Sequence, residues 1–123
     1  MKKILYTLAL SILIMQMQAV DISPVINAFK AGNTDMLKEM MAAEVEMVTP
    51  GVTKKGNGND AIATLKSFFL NNKPTGFTVA HHADKNESGF IVGKITTENR
   101  DFRVNITYLV KDGKTLITII RIE

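Results

Sequence analysis

The chain has no cysteine. That excludes disulfide stapling, a lipid anchor on cysteine and any thiolate metal site. Stability must therefore come from a packed core. Histidine is nearly as scarce: the two present are neighbours, His81-His82, and no histidine spacing of a zinc site exists. Charge of one sign is also lacking. Fifteen Lys and Arg stand against twelve Asp and Glu, for a formal net charge of +3 that includes Lys2 and Lys3. Beyond residue 3, Lys54-Lys55 is the only adjacent basic pair, and no basic stripe is interleaved with aromatics. Nucleic acid is not an expected partner. There is no internal repeat, low-complexity tract or linker. The longest apolar run is short of the roughly 20 residues that a membrane-spanning helix needs.

That run is Ile4 to Met15, interrupted by Tyr6, Thr7 and Ser11. Met1-Lys2-Lys3 precedes it, and Gln16-Met17-Gln18-Ala19 comes after it. A basic start, an apolar centre and a small residue at the end are the layout of a secretory signal peptide. Residues 1–19 are predicted to be that signal, and 20–123 a single domain that is exported, either periplasmic or secreted. No stable membrane span is expected after cleavage; a retained anchor is the rival reading. A domain of about 100 residues can bury a core unaided.

Ser23-Pro24 signals a helix start, with Ser23 as its cap. Ile22, Val25, Ile26 and Phe29 lie at helical spacing, and Gly32 suits a left-handed end. Asn33 or Thr34 is predicted to cap a second helix, Asp35 to Ala42 or Ala43, buried through Leu37, Met40 and Met41. The clustered Met36, Met40, Met41 and Met47 read as packing residues. Val45–Thr49 alternates as a strand and stops at Pro50-Gly51; Val52–Gly58 is a hairpin arm or loop. Asn59-Asp60 is predicted to cap a third helix, Ala61–Asn71, which Pro74 keeps from continuing. Four strands come next: Phe77–Ala83, Phe90–Glu98, Phe102–Lys111 and Leu116–Ile122, the last two joined at Asp112-Gly113. In Phe102–Val110 strict alternation puts Phe102, Val104, Ile106, Tyr108 and Val110 on one face. The last strand is apolar on both faces, with Leu116, Ile120 and Ile122 alternating with Ile117 and Ile119. The predicted class is α+β: a curved antiparallel sheet packed against three N-terminal helices, in the order α-α-β-α-β-β-β-β.

This order, with Phe29-Lys-Ala-Gly-Asn-Thr-Asp-Met-Leu-Lys-Glu-Met-Met, Glu46-Met-Val-Thr-Pro-Gly and Gly58-Asn-Asp-Ala-Ile-Ala-Thr-Leu-Lys-Ser-Phe-Phe, resembles the nuclear transport factor 2-like superfamily, also called cystatin-like or ketosteroid-isomerase-like. It looks most like that superfamily's small secreted bacterial members. The resemblance implies a cone-shaped half-barrel, with helices closing one end over a concave pocket, and dimers through the convex sheet face. The superfamily's enzymes use a carboxylate base with tyrosine or protonated-carboxylate donors in an apolar pocket. Tyr108 is the one tyrosine past the signal. The carboxylates do not fall beside it: Asp60 reads as a cap, Asp84, Asp101 and Asp112 as turn residues, Glu44 and Glu98 as strand ends. The isomerase constellation does not carry over.

The expected function is thus non-catalytic. The domain would bind a small apolar or amphipathic ligand in the concave pocket, or act as a dimeric interaction module through the outer sheet face. The predicted lining is Phe29, Met40 and Phe69 from the helices and Val79, His81, Val104, Ile106 and Tyr108 from the sheet. No catalytic residue, metal or cofactor is assigned. The alternative is an isomerase- or hydrolase-like enzyme using His81 and Tyr108, since histidine titrates near neutral pH and suits acid–base work.

Overall fold

The structure is a computed structural model that describes residues 21–123; the signal expected at 1–19 lies outside the described residues. Helix α1 spans Ser23–Ala31, with Pro24 in its first turn. Its opening differs from expectation. Ser23 is already helical, and its N–H donates to the Asp21 carboxylate at 2.9 Å. That bond is the main reason the Asp21 carboxyl sits below its ordinary pKa. Gly32 ends α1 as the spacing predicts, at φ 65°, with its N–H donating to the Ala28 carbonyl.

The second helix is shorter and tighter than predicted. Asn33 caps a 3₁₀ segment, Thr34–Met40, accepting from the Asp35 N–H at 3.0 Å. Strand β1 then begins at Met41 and runs to Thr49. Met41, Ala42 and Ala43 favour helix intrinsically, but Met41 is buried and pairs with Ile117. Tertiary pairing overrides a propensity worth only tenths of a kcal/mol per residue, about 0.5. After the Pro50-Gly51 turn, Val52–Gly56 forms a true strand, β2, antiparallel to β1. Helix α2 spans Gly58–Asn71 and starts earlier than predicted. Asn57, not Asn59, is its cap, and it shares a reciprocal capping box with Asp60.

Strands β3 (Gly76–Lys85), β4 (Ser88–Thr96), β5 (Asp101–Lys111) and β6 (Lys114–Ile122) complete the chain. The six strands make one sheet in the order β2-β1-β6-β5-β4-β3. Two parts of the predicted class need correction. The sheet is mixed, because β1 and β6 run parallel while the other neighbours are antiparallel. And α2 comes after two strands, so the helices are not all N-terminal. The parallel pair has a topological cause: the chain leaves β1, crosses through α2 and the β3–β5 meander, and returns beside β1 in the same direction.

The ladder is irregular at three places: β1 against β6, β3 between Val79 and His81, and β6 opposite Thr107 and Tyr108. An extra residue bends the bulged strand and reverses which face its later side chains take. In β6 the extra residue is Thr118, whose hydroxyl donates to the Thr107 carbonyl at 3.2 Å. Ile117 therefore joins Ile120 and Ile122 in the core, while Leu116 and Ile119 turn outward. That corrects the predicted grouping of Leu116 with Ile120 and Ile122. In β5 the alternation holds: Phe102, Val104, Ile106 and Tyr108 are all buried. They meet Val25, Phe29, Leu65 and Phe69 from the helices in one continuous apolar core.

Candidate functional site

The residues predicted to line a pocket separate into two groups. Phe29, Val104, Ile106 and Tyr108 are each 0% exposed, and Phe69 is buried with them. Met40 and Val79 pack against this cluster, half-buried. Phe29 stacks on Phe69 edge-to-face at 5.8 Å and on Phe77 at 5.3 Å. These side chains fill the space between the helices and the sheet. His81 is elsewhere. The bulge at Ala80 sets His81 opposite Val92, where it is exposed and lies 5.5 Å from the Phe90 ring. Both rings belong to the outer face. His81 and Tyr108 thus stand on opposite sides of the sheet, and the pair required by the enzymatic alternative is not formed.

Tyr108 has a different neighbour. Its hydroxyl is buried and makes no hydrogen bond within the protein. It lies over Gly89, its cross-strand partner, where any side chain would collide with the phenol and come within 2.8 Å of the Ala83 carbonyl. Asp84 is a strand residue, not the predicted turn residue, and pairs with Gly89 on the same face. Burial pushes the Tyr108 phenol above its ordinary pKa, and the Asp84 charge pushes the same way. The phenol is held neutral, as a donor with no internal acceptor.

An accessible concavity lies at the edge of the helix layer, between α2, the β1–β2 turn and the start of β5. It is a cleft of about 590 Å³. Ala63, Thr64, Ser67, Phe68, Asn71 and Asn72 line it from α2. Thr49, Pro50, Val52 and Lys54 form the opposite wall, and Arg100 and Phe102 close the end. Phe68 and Phe102 meet edge-to-face at 5.0 Å. The Arg100 guanidinium lies over the Phe102 ring at 4.4 Å.

The local sequence explains this placement. Asn71 and Asn72 tie their side-chain amides back to the carbonyls of Ser67 and Phe68, at 3.2 and 3.1 Å. Those bonds finish α2 beside the cleft. On β2, Val52 and Lys54 stand opposite the buried Thr49 and Met47 and so face inward. Lys55 faces outward and pairs with Glu44 at 3.4 Å. The predicted lining does not include this cleft, because its cations sit in Val52–Gly58, which reads as a hairpin arm or loop, and in the turn Asn99-Arg100-Asp101. The usable signal was the alternation of Val52 and Lys54, which needs β2 to be recognised as a strand. Among the described residues, no group of three or more His, Cys, Asp or Glu could hold a metal ion, and no helix is long and apolar enough to cross a membrane.

Comparison with known proteins agrees with the fold. No functionally curated protein matches the chain. A crystallised protein of the DUF4783 family from Bacteroides ovatus is 36% identical, with a TM-score of 0.76 over 80% of this chain and 90% of its own. Another from Bacteroides fragilis is 35% identical, with a TM-score of 0.77 over 85% of this chain and 97% of its own. An NTF-2 like protein of unknown function from Silicibacter pomeroyi, at 12% identity, shares the fold alone: its TM-score is 0.61 over 83% of this chain and 87% of its own. The profile of DUF4783, described as a domain of unknown function, matches residues 22–123. The chain belongs to the DUF4783 family, on a nuclear transport factor 2-like fold.

Proposed function

We propose that this protein is an exported, non-catalytic binding domain that holds one small amphipathic ligand in the cleft between α2 and the β1–β2 turn. The observation that carries this reading is the cleft itself. Its volume of about 590 Å³ falls in the range of small-molecule sites, and its lining sets polar side chains from three elements beside Val52, Phe68 and Phe102. The filled interior favours the cleft over the space beneath the helices. The signal-like residues 1–19 support export.

Native mass spectrometry of the protein purified from its own cells tests this reading. The expected result is a small-molecule adduct on the wild type and none on Ser67→Trp, which fills the cleft from an exposed position. An adduct that survives Ser67→Trp places the ligand elsewhere and overturns the reading.

A second reading concerns the outer sheet face. Phe90 and Leu109 are 39% and 46% exposed there, beside the outward Leu116 and Ile119. Such a surface supports pairing with a second copy of the chain.

A further inference from the structure

We infer that the cleft selects an anion: an amphipathic carboxylate whose apolar body lies on Phe68, Phe102 and Val52 and whose head group meets Arg100 and Lys54. The inference rests on the reading of the cleft as a ligand site and adds the chemical class of the ligand. Three observations carry it. First, the cleft's lining includes two cations and no carboxylate. The nearby acids are turned away: Asp101 pairs with Lys94 at 3.6 Å on the outer face, and Glu44 with Lys55. Among the described residues, neither Lys54 nor Arg100 forms an ion pair.

Second, Arg100 is oriented by its neighbours. Its guanidinium lies over the Phe102 ring at 4.4 Å, and its Nε donates to the Asp101 carbonyl at 3.5 Å. This leaves the two terminal NH₂ groups for a partner. A planar guanidinium laid against a ring matches a carboxylate through two parallel N–H···O bonds. Third, each cation stands beside an apolar group. Phe68 and Phe102 form the floor, and Val52, 46% exposed, forms part of the wall. Lys54 comes from the same strand as Val52, two residues on, and so shares its face. A bare anion leaves the exposed Val52 side chain wet, and a neutral apolar molecule leaves two unpaired cations beside it. A molecule with both parts satisfies both.

Titration calorimetry with octanoate, 1-octanol and octylamine separates the contributions, since the three share a tail. Octanoate should bind about tenfold more tightly than 1-octanol, the scale of one charge-assisted pair at a half-open site. Octylamine should be the weakest. In the double variant Lys54→Gln/Arg100→Gln, octanoate should fall to the level that 1-octanol shows on the same variant. Both side chains are exposed, so the variant keeps its fold. If 1-octanol binds as tightly as octanoate and Ser67→Trp blocks both, the anion inference falls and the cleft reading stands. If octanoate binds equally to wild type and Ser67→Trp, both fall.

Discussion

Tyr108 shows how far a single residue can be read. Alternation alone put it on the helix-covered face, and it is buried there. Its hydroxyl has no partner, so Tyr108→Phe should lose nothing at neutral pH and gain up to about 1 kcal/mol in denaturant unfolding. The pH dependence comes from the raised phenol pKa. The folded chain holds the proton more firmly than the unfolded one, whose value is near 10.0. That contribution is complete below pH 10 and is lost as the pH climbs from there through the raised value. Stability measured from about pH 9 to 12 should therefore fall more steeply for wild type than for Tyr108→Phe. Gly89→Ala should cost about 1–3 kcal/mol, because a methyl there meets the phenol and the Ala83 backbone, and the backbone cannot yield. What single residues could not disclose was company. Asp84 reads as a turn residue in the sequence, and only the pairing of β3 with β4 sets it on the Tyr108 face.

Elements were legible where one local rule governs them and illegible where a distant strand decides. The alternation of β5 is set by its own residues, and it holds along the whole strand. Gly32 ends α1 because a left-handed position favours glycine over any other residue. The 3₁₀ segment and the early start of β1 depend on Ile117, some seventy residues on, so no local window contains their cause. The bulges are the same kind of failure. Ala80 and Thr118 look like ordinary strand residues, yet each reverses the facing of its neighbours along the strand, which sets His81 outward and Ile117 inward. The isoleucines of β6 make its bulge testable. Ile117→Ala should cost about 2–5 kcal/mol and Ile119→Ala about 1 kcal/mol or less, whereas uninterrupted alternation with Leu116, Ile120 and Ile122 in the core puts both outward and makes both changes cheap. At α2, Asn57→Ala should cost about 1 kcal/mol, since it removes the side-chain half of the capping box.

For the whole molecule, the α+β class and the nuclear transport factor 2-like fold were legible because the order of elements survives local misreadings. The parallel β1–β6 pair was not, since strand direction depends on a return path that no segment encodes. A cone with an apolar inner face suggested an interior pocket, but the large side chains Phe29, Phe69, Ile106 and Tyr108 occupy that interior, and open space remains at the mouth. Two surfaces of the described residues stand out for function: the cleft and the outer sheet face. If the outer face pairs two copies, sedimentation should give twice the chain mass for wild type and a monomer for Leu109→Lys. The central claim, that ligand binds at the mouth and not beneath the helices, is tested most directly by mapping amide chemical shifts during an octanoate titration. The account predicts saturable shifts centred on Val52, Thr64, Ser67 and Phe102. Shifts centred on Ile91, Ile106 and Tyr108 would contradict it, because they would show the interior opening to admit the ligand.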